Sequence, residues 1–226
     1  MATAKETGLA NSIDPNLVRA WLEGRSIARN LPAPVPDLGG FRVDTNSEAE
    51  LCRWVFAGLA PQISVLASMI HGPEKLIKVC AARQDVERLL PEPWVVESAN
   101  AFMALDGAPP ALRPLPSGYR IERSRNGAAL MIEIITEEGE VAASGYAAET
   151  MDAFVYDRIV TREPHRKKGL GRALMAALGS SRRSAGARQL LVATMAGERL
   201  YSALGWQRIS PYSTARLPIA QAPSAG

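Results

Sequence analysis

The chain has 226 residues and a formal net charge of +3, with 47% hydrophobic and 22% charged residues, close to the composition of an ordinary globular protein. That excludes a disordered or fibrous chain, and no uninterrupted apolar run approaches the roughly 18 to 20 residues that span a bilayer. Met1 to Leu9 lacks the charged-then-apolar pattern of a secretory signal, so a cytoplasmic protein with no membrane partner is the expectation. Cys52 and Cys80 lie in apolar stretches with no second pair or histidine cluster nearby, which points to core positions and to no metal.

Asp14-Pro15 has the form of a helix N-cap followed by proline at the first helical position, and Leu17, Val18, Trp21, Leu22 and Ile27 recur at helical spacing up to about Arg29. Leu31 to Gly40 is rich in proline and glycine and reads as an extended connector. Strands are expected near Phe41 to Asp44 and Leu51 to Phe56, a helix near Pro61 to Ile70, and a strand over Leu76 to Cys80. A helix over Ala82 to Leu90 and strands near Trp94 and Ala101 to Leu105 complete the first half. Ala108 to Pro116 holds four prolines and is the natural boundary, giving an N-terminal region 1–107, a linker 108–116 and a C-terminal domain 117–226.

Beyond it, Tyr119 to Arg123 alternates like a strand, and Ala128 to Ile135 and Val141 to Ala148 flank Glu137-Glu138-Gly139-Glu140, a hairpin turn. A strand over Ala153 to Thr161, a helix over about Gly169 to Ser184, a strand over Gln189 to Thr194, a short helix over Gly197 to Leu204 and a strand from Trp206 to Ser210 follow. The pattern is α+β or mixed α/β, with helices on a sheet.

The small net charge conceals an asymmetry. Residues 117–226 carry 15 basic and 10 acidic residues, residues 1–116 carry 11 and 13, and Arg158 to Arg188 holds nine bases against Glu163 alone. Such an excess calls for an anionic partner. Its centre is Arg166-Lys167-Lys168-Gly169-Leu170-Gly171-Arg172, between a strand and a helix, where two glycines let the backbone approach a ligand and the helix start offers unpaired N–H groups. That arrangement suits a pyrophosphate. The Gly-x-x-x-x-Gly-Lys-Ser/Thr loop does not occur, and Leu174 stands where a dinucleotide loop has its third glycine. Nucleic acid is disfavoured as the partner, because no aromatic interleaves the bases between Arg162 and Arg199.

Arg-x-x-Gly-x-Gly after Ile159-Val160-Thr161, followed by Ala173-Leu174-Met175 and by Leu200-Tyr201-Ser202-Ala203-Leu204-Gly205-Trp206, resembles the GNAT superfamily of N-acetyltransferases over about Tyr119 to Leu217. The resemblance implies a twisted mixed sheet in which the strand before the loop splays from the next one and acetyl-CoA lies in the gap. The backbone of Ile159, Val160 and Thr161 would hold the pantetheine arm, and the segment Arg166, Lys167, Lys168, Gly169, Leu170, Gly171 and Arg172 the phosphates. Tyr201 matches the family's general acid, whose phenol is protonated at neutral pH. Asp157 is the candidate base, directly or through a water, with pairing to a nearby arginine as the alternative. Glu149, Glu133 and His165 are weaker candidates, and His165 is expected to face solvent or a phosphate. Thr194 departs from the family's asparagine.

The family's helices between its first two strands have no room between Arg123 and Ala128, so residues 1–116 are available to wall the acceptor pocket. They hold an echo: Val79-Cys80-Ala81, Glu87-Arg88-Leu89-Leu90 and Trp94 parallel Val192-Ala193-Thr194, Glu198-Arg199-Leu200-Tyr201 and Trp206. The expectation is a degenerate GNAT-like unit, without the phosphate loop, capping the acceptor site; chance similarity is the alternative. The expected activity is acetyl transfer from acetyl-CoA, as co-substrate, to the amine of a small molecule. A noncatalytic acyl-CoA sensor, a transferase acting on protein or peptide amines, and a homodimer stay open.

Overall fold

The computed structural model describes residues 12–219, so the reading of Met1 to Leu9 lies outside the described residues. Helix α1, Pro15–Arg29, starts where Asp14 Oδ1 accepts from the Asn16 N–H at 2.9 Å and ends at Asn30 in the left-handed region. It buries Val18, Trp21 and Leu22. Each such side chain stabilises the fold by about 1.5–3 kcal/mol. A short strand β1 (Val35–Asp37) follows, then β2 (Gly40–Ser47), β3 (Glu50–Phe56), α2 (Gln62–Met69), β4 (Lys75–Val79), α3 (Arg83–Glu87) and β5 (Val95–Leu105).

The second half runs β6 (Tyr119–Asn126), β7 (Ala129–Thr136), β8 (Val141–Glu149), β9 (Ala153–Thr161), α4 (Leu170–Gly179), β10 (Arg188–Ala193), α5 (Met195–Ser202) and β11 (Gln207–Arg216), with a 3-10 turn at Glu163–His165. The hairpin turn holds Gly139 at φ +87°. Three expected bounds shift for local reasons. α3 ends at Glu87 because Pro91 disfavours a helical Leu90. α4 ends at Gly179, where the Glu149 carboxylate accepts from the N–H groups of Arg183 and Ser184 and holds the chain in a turn. The two strands expected near Trp94 and Ala101 are one, β5.

Among the described residues eleven strands form one sheet in the order β1-β2-β3-β4-β11-β5-β10-β9-β8-β7-β6. The chain halves therefore interlock. β11 of the second half lies between β4 and β5 of the first, and β5 lies between β10 and β11, all antiparallel. On one side β3 runs parallel to β4, and on the other β9 runs parallel to β10. The order is that of a pseudo-twofold repeat about the β5–β11 pair.

Alternation along β5 divides the core between the two faces of the sheet. Ala101, Met103 and Leu105 join the cluster containing Leu170, Leu174 and Leu178 of α4, while Phe102 and Ala104 join Val18, Trp21 and Leu22 of α1. The helix α1, from the start of the chain, thus crosses the face of β8 and β9 opposite α4. Gly24 permits its close approach, since a Cβ there would lie 2.5 Å from Val155 Cγ2.

Candidate active site

Strands β9 and β10 pair only from Ala153 with Arg188 to Val155 with Leu190, and beyond that point they separate. On its other edge β9 carries a bulge. Ser144 faces Val160 and Tyr146 faces Asp157, so two residues of β9 oppose one of β8, and Arg158 takes φ +51°. The Arg162 N–H donates to Ala142 O at 2.9 Å. By strand alternation the Val160 N–H points the same way, toward β8, and that of Thr161 points into the gap. Val160 is therefore the member of the expected trio whose backbone is taken by the sheet.

At the end of the gap the chain turns into α4 through Lys167 at φ +62° and Gly169 at φ +80°. No side chain caps the start of α4 and its first turn has no acidic residue. The N–H groups of Leu170, Gly171 and Arg172 thus lack intrahelical acceptors, at the positive end of the helix dipole. A Cβ on Gly171 would lie 3.0 Å from Leu200 Cδ2, so glycine keeps this turn flush with α5. Within the expected phosphate segment three residues are engaged elsewhere, Arg172 through Nη2, which donates to Ala203 O at 3.4 Å. The Arg166 N–H donates to Glu163 O at 3.2 Å, and the Lys168 ammonium donates to the Tyr119 hydroxyl at 3.0 Å.

The gap and this turn enclose a groove of about 780 Å³ lined by Ile159, Val160, Thr161, Arg166, Lys167, Gly169, Leu170, Gly171, Arg172 and Tyr201, among others. A second cavity of about 280 Å³ adjoins it, and the two share Ile159, Thr194, Gly197 and Tyr201. Tyr201 sits on α5 at this junction, 7% exposed, where burial pushes its phenol up to about 12. Room for its ring comes from Gly197, one turn earlier, where a Cβ would lie 3.1 Å from Tyr201 Cε2.

The smaller cavity is walled by residues from both halves: Trp21, Arg25 and Arg29 of α1, Lys78 of β4, Asn100 of β5, Asp157 and Arg158 of β9, and Tyr212 and Thr214 of β11. Asp157 is held by arginines. Arg29 Nε and Nη2 donate to its two oxygens at 2.5 and 3.0 Å, Arg25 Nε lies at 3.6 Å and Arg158 Nε at 3.4 Å. The alternative of arginine pairing is thus what its surroundings provide.

His165, expected to face solvent or a phosphate, is buried and is among the residues that line the groove, with Nδ1 2.9 Å from the Tyr119 hydroxyl. Glu149 lies outside both cavities. Burial opposes its ionisation, but the N–H groups of Ser184 and Arg183 outweigh that and lower its pKa. Glu133 lines neither cavity. Thr194 lines both, and its hydroxyl accepts from the Gly197 N–H at 3.2 Å as the cap of α5. The residues that the sequence left unmarked are Arg25, Arg29 and Lys78. Trp21, Arg25 and Arg29 recur every four residues on α1, a visible stripe whose target was not.

A mixed sheet opened between two parallel strands over a glycine-rich helix start defines the GNAT fold. Residues 129–208, in the C-terminal half, match the family model described as an acetyltransferase (GNAT) domain. Solved structures share the fold at low identity. A GCN5-related N-acetyltransferase from Kribbella flavida is 14% identical with a TM-score of 0.64, over 93% of this chain and 98% of that one. A putative GNAT-family acetyltransferase from Novosphingobium aromaticivorans is 15% identical with a TM-score of 0.55, over 92% and 100%. A GCN5-related N-acetyltransferase-like protein from Streptococcus suis is 12% identical with a TM-score of 0.55, over 80% and 84%. No curated protein matches the sequence. Among the described residues no helix is long and apolar enough to cross a membrane, and no group of three or more His, Cys, Asp or Glu is placed to hold a metal ion.

Proposed function

We propose that the protein is an acetyl-CoA-dependent N-acetyltransferase acting on the amine of a small molecule. The observation that carries this reading is the position of Tyr201, whose side chain lines both the groove beside the phosphate turn and the adjoining cavity. In this reading the groove takes acetyl-CoA. The N–H groups of Leu170, Gly171 and Arg172 hold the pyrophosphate, with Arg166, Lys167 and Arg172 adding positive charge at the rim. The inward N–H of Thr161 and the backbone of Ile159, both at the groove, align the pantetheine arm and the thioester.

The smaller cavity takes the acceptor. Its neutral amine forms the new N–C bond to the acetyl carbon, the C–S bond breaks, and Tyr201 gives its proton to the departing sulfur, regaining one from solvent. A phenol pushed up to about 12 stays protonated for this role across the neutral range. Asp157, with both oxygens on Arg29, serves as a positioning residue for the α1 arginines, and the surplus proton of the amine leaves through water.

In the same reading residues 1–107 are a degenerate GNAT-like unit. Its strand-helix-strand segment β4-α3-β5 supplies Lys78 and Asn100 to the acceptor wall, and the pseudo-twofold strand order supports the repeat. The small-molecule assignment rests on the volume of about 280 Å³, at the low end for ligand pockets. The test is thiol release from acetyl-CoA against an amine panel. Release with a small amine supports the reading; calorimetric CoA binding with no release for any amine or peptide makes the protein a sensor instead.

A further inference from the structure

Resting on the transferase reading, we infer that the acceptor is a small amine that also bears a carboxylate or comparable anionic group, and that Arg25 and Lys78 bind this group. The acceptor cavity is lined by four cationic side chains, Arg25, Arg29, Arg158 and Lys78, and by one carboxylate, Asp157. That carboxylate is committed to Arg29 through two hydrogen bonds. Arg158 is also engaged, donating to Ala28 O with its guanidinium 3.6 Å from the centre of the Tyr146 ring.

Arg25 and Lys78 remain short of counter-charge. The Arg25 side chain is 16% exposed, and its nearest carboxylate oxygen, Asp157 Oδ1, lies at 3.6 Å and already accepts from Arg29. Among the described residues no hydrogen bond from its guanidinium is present, and it lies 5.6 Å from the centre of the Trp21 ring. Lys78 is 11% exposed, and its nearest carboxylate, Glu50 at 3.7 Å, lies closer to Arg53 at 2.5 Å. Burial lowers the pKa of Arg25 and pushes the Lys78 ammonium down to about 8. Cations taken out of water without a full partner are costly, and a ligand anion between them removes that cost. An arginine fork and an ammonium together suit a carboxylate.

The same field serves the chemistry. Positive charge around the cavity disfavours an ammonium on the acceptor, so the reactive neutral amine gains population without a protein base. Tyr201 and Ile159 close the cavity on the side of the groove, which leaves the amine end of such a ligand facing the thioester.

The anion could instead come from the phosphates of CoA, so the experiment separates the two sources. Amino acids and ω-amino acids are compared with their amides as acceptors, in the wild type and in Arg25→Gln and Lys78→Met, alongside calorimetry with CoA. The expected result is kcat/KM at least about tenfold higher for the carboxylates, with that preference lost in both variants through KM and CoA affinity unchanged. Equal or better turnover of the amides, or a loss of CoA affinity in the variants, overturns the inference. If no amine is turned over, N-acetyl amino acids and their amides are titrated into the CoA-loaded protein. Selective binding of the carboxylates, lost in the variants, then upholds the anion site while the transferase reading fails; no selectivity sinks the inference too.

Discussion

In the first half of the chain β3 and β4 stay paired from Cys52 with Lys75 to Phe56 with Val79, the last residue of each strand. In the second half their counterparts β9 and β10 lose contact after Val155 and Leu190, and β9 bulges at Arg158 before running on to Thr161. The connections differ as well. Ala57 to Pro61 leads into α2 without a basic residue, whereas Arg162 to Gly169 leads into α4 with four bases and a left-handed glycine at the helix start. Nearly the same order of strands and helices therefore yields a closed sheet on one side and an opened one on the other. What sets the second half apart is the separation of two parallel strands together with a helix start whose N–H groups are left free; strand order alone supplies neither.

The largest effect that can be aimed at this contrast is Gly169→Glu. The residue sits at φ +80°, which a side chain adopts at a cost of about 1–2 kcal/mol, and the substitution places a negative charge at the proposed phosphate site. Calorimetry should find no detectable CoA binding. Retained affinity would show that the opened strands hold the cofactor without the turn.

Tyr201→Phe comes next and separates binding from chemistry. Turnover should fall by about 10²–10⁴ while CoA affinity is kept, the range associated with loss of a positioned proton donor. The pH dependence has a defined sign. Burial raises the phenol to about 12, so the donor form persists as pH rises through the usual tyrosine range, and ionisation of Tyr201 should cut kcat only as the pH nears 12. A wild-type kcat that collapses near pH 10, or an unchanged rate in the phenylalanine variant, removes Tyr201 as the acid.

Much of this was readable because it is local. The Asp14-Pro15 start of α1, the Gly139 hairpin and the Gly169 and Gly171 turn are each written within a few residues, and the structure places them as the spacing predicts. The insertion of β5 between β10 and β11 was not readable, because strand pairing joins residues as distant as Ala101 and Ala193. Asp157 shows the same limit. Its carboxylate is evident in the sequence, but its partner Arg29 lies 128 residues away, and the α1 stripe finds its target only where Gly24 meets β9.

That contact gives an intermediate effect. In Gly24→Val the new Cβ would lie 2.5 Å from Val155 Cγ2, and overpacking of this kind costs about 1–3 kcal/mol. For a chain of this size each 1 kcal/mol lowers Tm by about 2–4 °C. Because Arg25 and Arg29 ride on the same helix, the acceptor KM should rise while CoA affinity, which the proposed reading assigns to the groove at α4, stays constant. Parallel losses in both would mean that α1 supports the groove as a whole.

The smallest expected effect is none, and it sharpens the comparison most. Leu90 stands in the first half where Tyr201 stands in the second, each three residues after a Glu-Arg-Leu start. If a missing phenol were what silenced the first half, Leu90→Tyr placed in the Tyr201→Phe background would restore some turnover. With β3 and β4 paired to their ends there is no gap for a thioester to enter, and a phenol at position 90 has nothing to protonate. Leu90 packs beside the core of its own half, so the double variant should fold, bind CoA with one-site stoichiometry and turn over no faster than Tyr201→Phe alone. Recovered activity, or a second equivalent of CoA bound, would mean that the paired strands part in solution and that the two halves differ by less than their hydrogen bonds indicate.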